Sequence, residues 1–357
     1  MVMETRVVRF LAGKVLFASA MVAASPSAGA DAIEDFYKGK TVSLIVSVQE
    51  GGGTDTVARI LSRHWPSLWP GKPAIVVKNM PGAGHLRATN YLYAQAPQDG
   101  TTIAAIAPGF VMHQILDGRS VQYDVAKMKW IGSTGATNAY VYTWHTAGIK
   151  TLEDAMKKEV LMGGTGAGSD NVMYAVMLNN ALGTRFKVIM GYKGTNDVDL
   201  AVTRGEVQGR AGGTFSTLVA NNMDWVTNKQ IDILVQVGAK PEPGFESVPM
   251  LTSFAKDPTT REVLQIFVNA VELGRPFQAP PEIPVDRLAA LRASFLAILK
   301  DDAAVADLKK ARFDVKPVGG EDLQKLVDGM VNVSPAVVER VKAVLEPKGT
   351  VAGEVKQ

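Results

Sequence analysis

The 357-residue sequence contains no cysteine. That absence excludes a disulfide scaffold, a thiolate metal site, a thiol nucleophile and a lipid-bearing cysteine after a leader. Histidine is almost as scarce. His64, His85, His113 and His145 are the only four; they share no zinc spacing, and no H-E-x-x-H occurs. An excess of one charge is also missing. The chain carries +3, residues 1–30 hold Arg6, Arg9 and Lys14 against Glu4, and the remainder is therefore +1. A nearly neutral body gives no electrostatic case for nucleic acid or for a membrane surface. There is no G-x-S-x-G elbow. Gly39-Lys40-Thr41 ends like a phosphate-binding P-loop, but it precedes its strand, and Glu34 stands where the first glycine belongs. Gly164-x-Gly166-x-x-Ser169 departs from a dinucleotide fingerprint at its last position. Neither a cofactor nor a metal is expected.

With 46% hydrophobic and 20% charged residues the chain is that of a folded globular protein, long enough for two domains. Residues 1–30 read as a secretory signal: a basic start, an apolar core from Val15 to Ala24, and an A-x-A site at Ala28-Gly29-Ala30. That core falls well short of the ~20 residues that span a bilayer, and no later run is long and apolar enough either. A mature start at Asp31 is expected. An exported, unanchored protein stays with the cell where an outer membrane retains it, so the expected location is the periplasm. A large core makes disulfide staples unnecessary there.

The chain then alternates. Val42 to Val48 is a buried strand, and Gly51-Gly52-Gly53 is a turn. Val57, Ile60, Leu61 and Trp65 recur at helical spacing, with Thr54 or Asp55 at the N-cap. Strands at Ala74 to Lys78 and Thr101 to Ala107 flank a helix from Leu86 to Ala96, giving β-α-β-α-β and hence a parallel sheet. A second set follows. Thr151-Leu-Glu-Asp154 is a variant capping box opening a helix to about Glu159, and Val160 to Gly163 leads into a glycine loop over 164–170. Phe186 to Met190, Asn196 to Arg204, Val207 and Ile231 to Val237 complete the set. Prolines are dense from Pro241 to Pro284, which marks a segment that crosses between bodies. Beyond it lie helices that Asp286 and Ser334-Pro335 are placed to start.

Strand, glycine turn and helix form an anion site, because free N–H groups converge at the helix start and the dipole favours negative charge. Glycine removes the Cβ that would keep a ligand away from the backbone. A bare βα turn has the same pattern.

Four pieces in order, Gly51-Gly-Gly-Thr-Asp55, Asn79-Met-Pro-Gly-Ala-Gly84, Ala96-Pro-Gln-Asp-Gly100 and Gly191-Tyr-Lys-Gly-Thr195, resemble the Bug-type solute receptors of tripartite tricarboxylate transporters. The similarity runs from about Asp35 to the final helix. The resemblance implies an α/β, two-lobed periplasmic binding protein fold of type II-like form, each lobe a mostly parallel sheet flanked by helices. Lobe one would hold 31–137 plus 239–357 and lobe two 138–238, with the ligand in the cleft. It implies a non-enzymatic receptor that captures a small, carboxylate-bearing molecule, acts as a monomer and serves integral-membrane permease subunits. The implied ligand residues are Gln49, Gly51, Gly52, Gly53, Thr54 and Asp55 in lobe one, and Thr165, Gly166, Ser169 and Asp170 in lobe two. Pro108, Gly109, Phe110 and Tyr192 are candidate walls. Phe110 and Tyr192 fit simple packing equally well.

The chain departs from the family at Gln49-Glu50, where Pro-Ala is usual, at Asn171-Val172 after the second-lobe loop, and at Gly209-Arg210-Ala-Gly-Gly213. Arg210 either grips a carboxylate in bidentate fashion or forms a salt bridge within lobe two. Glu50 either points away or pairs with a donor on the ligand. An exported hydrolase, with Ser, His and Asp assembled in space, and a ligand-sensing subunit of a signalling system are the competing functions.

Overall fold

The computed structural model describes residues 28–116, 120–332 and 334–355. The expected leader lies, for residues 1–27, outside the described residues, and the helix Ala28–Tyr37 runs across the expected cleavage site. Twelve strands are described: β1 Thr41–Val46, β2 Ala74–Asn79, β3 Thr102–Ala105, β4 Lys129–Ser133, β5 Ala139–Trp144, β6 Val160–Gly163, β7 Phe186–Met190, β8 Gly209–Thr214, β9 Ile231–Val237, β10 Pro276–Ala279, β11 Val318–Gly319 and β12 Val351–Glu354. They form two six-stranded sheets, ordered β11-β4-β10-β3-β1-β2 and β12-β7-β6-β8-β5-β9.

Most strands of each sheet share one direction, as β-α-β units require. In the first, β1 is parallel to β2 and β3, while β10 is inserted antiparallel between β3 and β4. In the second, β12, β7, β6 and β8 are parallel and β5 is reversed beside β8. Sequence follows position. Central β3 (Thr-Ile-Ala-Ala) is buried at every residue, whereas edge strand β2 alternates exposed and half-buried residues. From sequence, 239–357 is expected wholly in lobe one; its last strand, β12, is hydrogen-bonded to β7 in the second sheet.

The first sheet packs on the helix Gly53–His64 through Val57, Ala58, Ile60 and Leu61, with the aromatic cluster Trp65, Trp69, Phe277 and Phe295 beside it. Fully burying side chains of this size stabilises by roughly 1.5–3 kcal/mol each. Two expected caps are present. Thr151 accepts from the Asp154 N–H while Asp154 accepts from the Thr151 N–H, at 3.2 and 3.1 Å, and Ser334 accepts from the Val337 N–H at 3.3 Å. Asp286 is not a cap: the helix Val285–Ile298 starts one residue earlier, after Pro284. Within the proline-dense segment lies a 15-residue helix, Pro258–Glu272, started by the Asp257 side chain accepting from the Thr260 N–H. It carries seven buried residues and packs against β9 and the helix Gly320–Val331. The helix Pro335–Leu345 touches both Phe110–Leu116 and Asp170–Leu182, so apolar contact is continuous between the two sheets.

Candidate ligand-binding site

The loops after β1, β2 and β3 in the first sheet meet those after β6, β7 and β8 in the second around one cavity of about 630 Å³. Ligands of parallel α/β sheets sit beyond the C-terminal strand ends for this reason: helices begin there, and their unpaired N–H groups face outward. The helices Gly53–His64, Asp170–Leu182 and Thr195–Thr203 all present their first residues to the cavity. The starts of antiparallel strands lie on the same edge, which brings Arg275, just before β10, to the same place.

Of the residues singled out in the sequence, Gln49, Gly52, Gly53 and Thr54 border the cavity. So do Pro108, Gly109, Thr165, Gly166, Ser169, Asp170, Tyr192 and Arg210. Gly51 and Asp55 do not. Gly52, not Thr54 or Asp55, is the N-cap. Asp55 lies in the first helical turn and reaches backwards, accepting from the Gly51 N–H at 2.9 Å, from Arg59 at 2.9 Å and from Asn79 at 2.8 Å. It is 2% exposed and bolts the glycine loop from behind. Glu50 stands on the outer surface with a side chain 81% exposed, 3.9 Å from Arg59.

Arg210 borders the cavity with its guanidinium committed inside the protein. Nε donates to Asp199 at 2.8 Å, Nη1 to the Gly212 carbonyl, and Nη2 lies 3.3 Å from both Asp199 and the Tyr140 hydroxyl. Phe110 is wholly buried and stacks on Trp130, so it packs and does not wall the cavity. Tyr192 lines the cavity while packing against the second sheet's cluster. Ser169 is the N-cap residue of Asp170–Leu182 but makes no side-chain cap bond. Its hydroxyl donates to the Gly166 carbonyl at 2.7 Å and contacts Asn171 Oδ1, and Asn171 in turn accepts from the Thr165 N–H at 3.0 Å. The loop is braced by its own side chains.

Several glycines hold the sheets' loops together. A Cβ on Gly84 would collide with the backbone of Gly168, one on Gly168 with the His113 ring, and one on Gly194 with the Gln49 side chain. Each pair joins a loop or helix that follows a strand of the first sheet to a loop of the second. His113 Nε2 donates to the Gly84 carbonyl at 3.0 Å, and His85 Nδ1 donates to the Ser47 carbonyl at 3.3 Å. Burial pulls both imidazoles below their ordinary value and pushes the Asp170 carboxyl above its own, the histidines partly opposing the latter.

Arg275 had no sequence signal. It is 6% exposed, and burial pulls its guanidinium down to about 10, with Glu242 opposing. Nη2 donates to the hydroxyls of Thr214, Ser216 and Thr217 at 2.8, 2.6 and 3.3 Å. Among the described residues no serine hydroxyl of the cavity is hydrogen-bonded to a histidine ring, no group of acidic and histidine side chains is arranged to hold a metal, and no helix is long and apolar enough to cross a membrane.

Two mostly parallel sheets with a cavity between their C-terminal loops define the two-lobed fold of periplasmic binding proteins. Solved structures place it further, with the fold of the Bug- and TctC-type proteins. The periplasmic binding protein BugD is 22% identical at a TM-score of 0.68, over 86% of this chain and 98% of that one. MatC of Rhodopseudomonas palustris, solved with malate, is 18% identical at 0.65, over 86% and 99%. A second R. palustris protein, solved with adipate, is 19% identical at 0.66, over 86% and 97%. No family model and no curated protein matches the sequence.

Proposed function

We propose that this chain is a periplasmic solute receptor that closes around a small carboxylate-bearing molecule and presents it to a membrane permease. One observation carries the reading: helix starts from both sheets, Gly53–His64 and Asp170–Leu182, open into the same cavity. Converging N–H groups and helix dipoles favour an anion between them. The malate and adipate bound by two proteins of the same fold are small carboxylates, which supports the class. A hydrolase needs a nucleophile beside its base, and Ser169 is instead bonded to Gly166 and Asn171.

Mass spectrometry of the small molecules released on denaturing the purified protein tests this. A carboxylate at near-stoichiometric amount is expected, and adding it back to stripped protein should raise the Tm by mass action. No released acid and no Tm response to any mono- or dicarboxylate would overturn the reading. Conversion of the bound molecule on incubation would replace it with an enzymatic one.

A further inference from the structure

Arg275 and Asp170, of opposite formal charge, both face the cavity, and neither is closed in an ion pair: Arg275 lies over the Phe313 ring at 4.9 Å, and Asp170 has the His85 and His113 rings near it. Arg275 Nε and Nη1 have no hydrogen-bond partner among the described residues, and no carboxylate there lies within ion-pair distance of the guanidinium. Glu242, whose charge opposes the effect of burial on Arg275, accepts from the Asn138 N–H at 3.0 Å. The contrast with Arg210 is direct, since that equally buried guanidinium is paired with Asp199. Asp170 has no hydrogen-bond donor on its carboxylate among the described residues. Trp69 Nε1 is the sealed, partnerless side-chain nitrogen or oxygen there, so the open groups of Arg275 and Asp170 reach accessible space, and both residues border the cavity. A buried group of this kind that lacks a hydrogen-bonded counter-charge is unfavourable until one is supplied.

An apolar wall joins the two. Tyr174 stands one helical turn after Asp170, its ring 6.0 Å from that of Phe267. Val271 stands one turn after Phe267 on Pro258–Glu272, and Arg275 follows three residues beyond that helix. Tyr174, Phe267 and Val271 all line the cavity.

We infer that the ligand is an amino-bearing carboxylic acid with an apolar body. Arg275 takes the carboxylate, Asp170 takes the ammonium, and Tyr174, Phe267 and Val271 face the chain between. This rests on the receptor reading and narrows it. A plain diacid would satisfy Arg275 and place its second carboxylate against Asp170, where like charges repel.

The test is titration calorimetry of the full chain, stripped by unfolding and refolding, against hexanoate, its ω-amino and ω-amide derivatives, and adipate, with shorter and longer homologues. At the best length the ω-amino acid should bind at least about ten-fold tighter than the unsubstituted acid, a usual worth of a hydrogen bond to a charged group. Asp170→Asn should abolish that preference, read as the ratio of the ω-amino acid's affinity to the unsubstituted acid's in the same variant. Arg275→Met should weaken every member about ten-fold or more. A diacid preferred to the amino acid, or a preference that survives Asp170→Asn, overturns the inference and leaves the receptor standing. If no member binds at any length, both fall. The ranking by the unaltered protein decides even where a variant does not fold.

Discussion

Gly168→Ala isolates the step in which the loops of the two sheets come together. Gly168 has no left-handed backbone, so alanine brings no conformational strain to its own loop. The new methyl would instead fall inside the imidazole of His113, which belongs to the helix Phe110–Leu116 of the other sheet. His113 is not free to swing away, because its Nε2 donates to the Gly84 carbonyl at 3.0 Å. Closure with alanine must overpack the contact, at about 1–3 kcal/mol, and, because the ring has to shift, break that bond, at about 1 kcal/mol. The combined penalty is roughly 2–4 kcal/mol, and it applies only when the loops meet. Ligand affinity should therefore fall roughly 30- to 1,000-fold, while the ligand-free protein, able to relax open, melts within a few degrees of the original. Calorimetric titration and solution scattering read both sides. The variant should resist the compaction that ligand produces in the original. Adding His113→Ala restores room, and affinity should return to within the value of the lost bond. Unaltered affinity for Gly168→Ala, or no recovery in the double variant, would refute closure through this contact.

Asp55→Asn tests the loop bolt: the amide cannot hold Gly51, Arg59 and Asn79 together, and losing charge-assisted bonds at a buried carboxylate costs about 2–3 kcal/mol. A Tm lower by roughly 3–4 °C follows for a chain of this length, and an unchanged Tm would show that Asp55 is not structural. A third prediction concerns acid. Burial holds His113 below its ordinary value, so the unfolded chain binds the proton first; stability is full above about pH 6.5 and is lost as pH falls toward the lower folded-state value. His113→Gln keeps a donor for Gly84 without titrating, and its Tm should drop less than the original's between about pH 7.5 and 5.5. Asp170 and His85 feel the His113 charge, so the comparison is repeated in an Asp170→Asn background, and equal drops in both would sink the assignment.

The parts of the site readable from sequence are those written in backbone chemistry. Gly51-Gly52-Gly53, Gly164 to Ser169 and the turn at Gly191 to Gly194 follow hydrophobic strands, and only glycine tolerates the close approaches found at Gly84, Gly168 and Gly194. Such positions announce themselves locally, and the order of strands and helices around them is enough to place two parallel sheets. Asp55 shows the limit of local reading. A short acidic residue after a glycine turn suits an N-cap, but Gly52 takes that position and Asp55 turns back on the loop. The helix Pro258–Glu272 was obscured by the prolines around it, although Asp257-Pro258 is itself a start signal of the kind recognised at Ser334-Pro335.

Arg275 marks a different limit, because nothing near it in sequence bears on its role. It reaches the cavity because β10 is inserted antiparallel between β3 and β4, which puts the beginning of one strand beside the ends of its neighbours. The hydroxyls that hold it come from Thr214, Ser216 and Thr217, about 60 positions earlier and at the end of a strand in the other sheet. Asp170 was legible as part of a glycine loop, but its setting, beside a His85 ring whose Nδ1 donates to the Ser47 carbonyl, was not. The backbone half of the site is thus local and shared by the pattern of the fold. The charged half is set by contacts between distant segments, and on that half the choice of ligand depends.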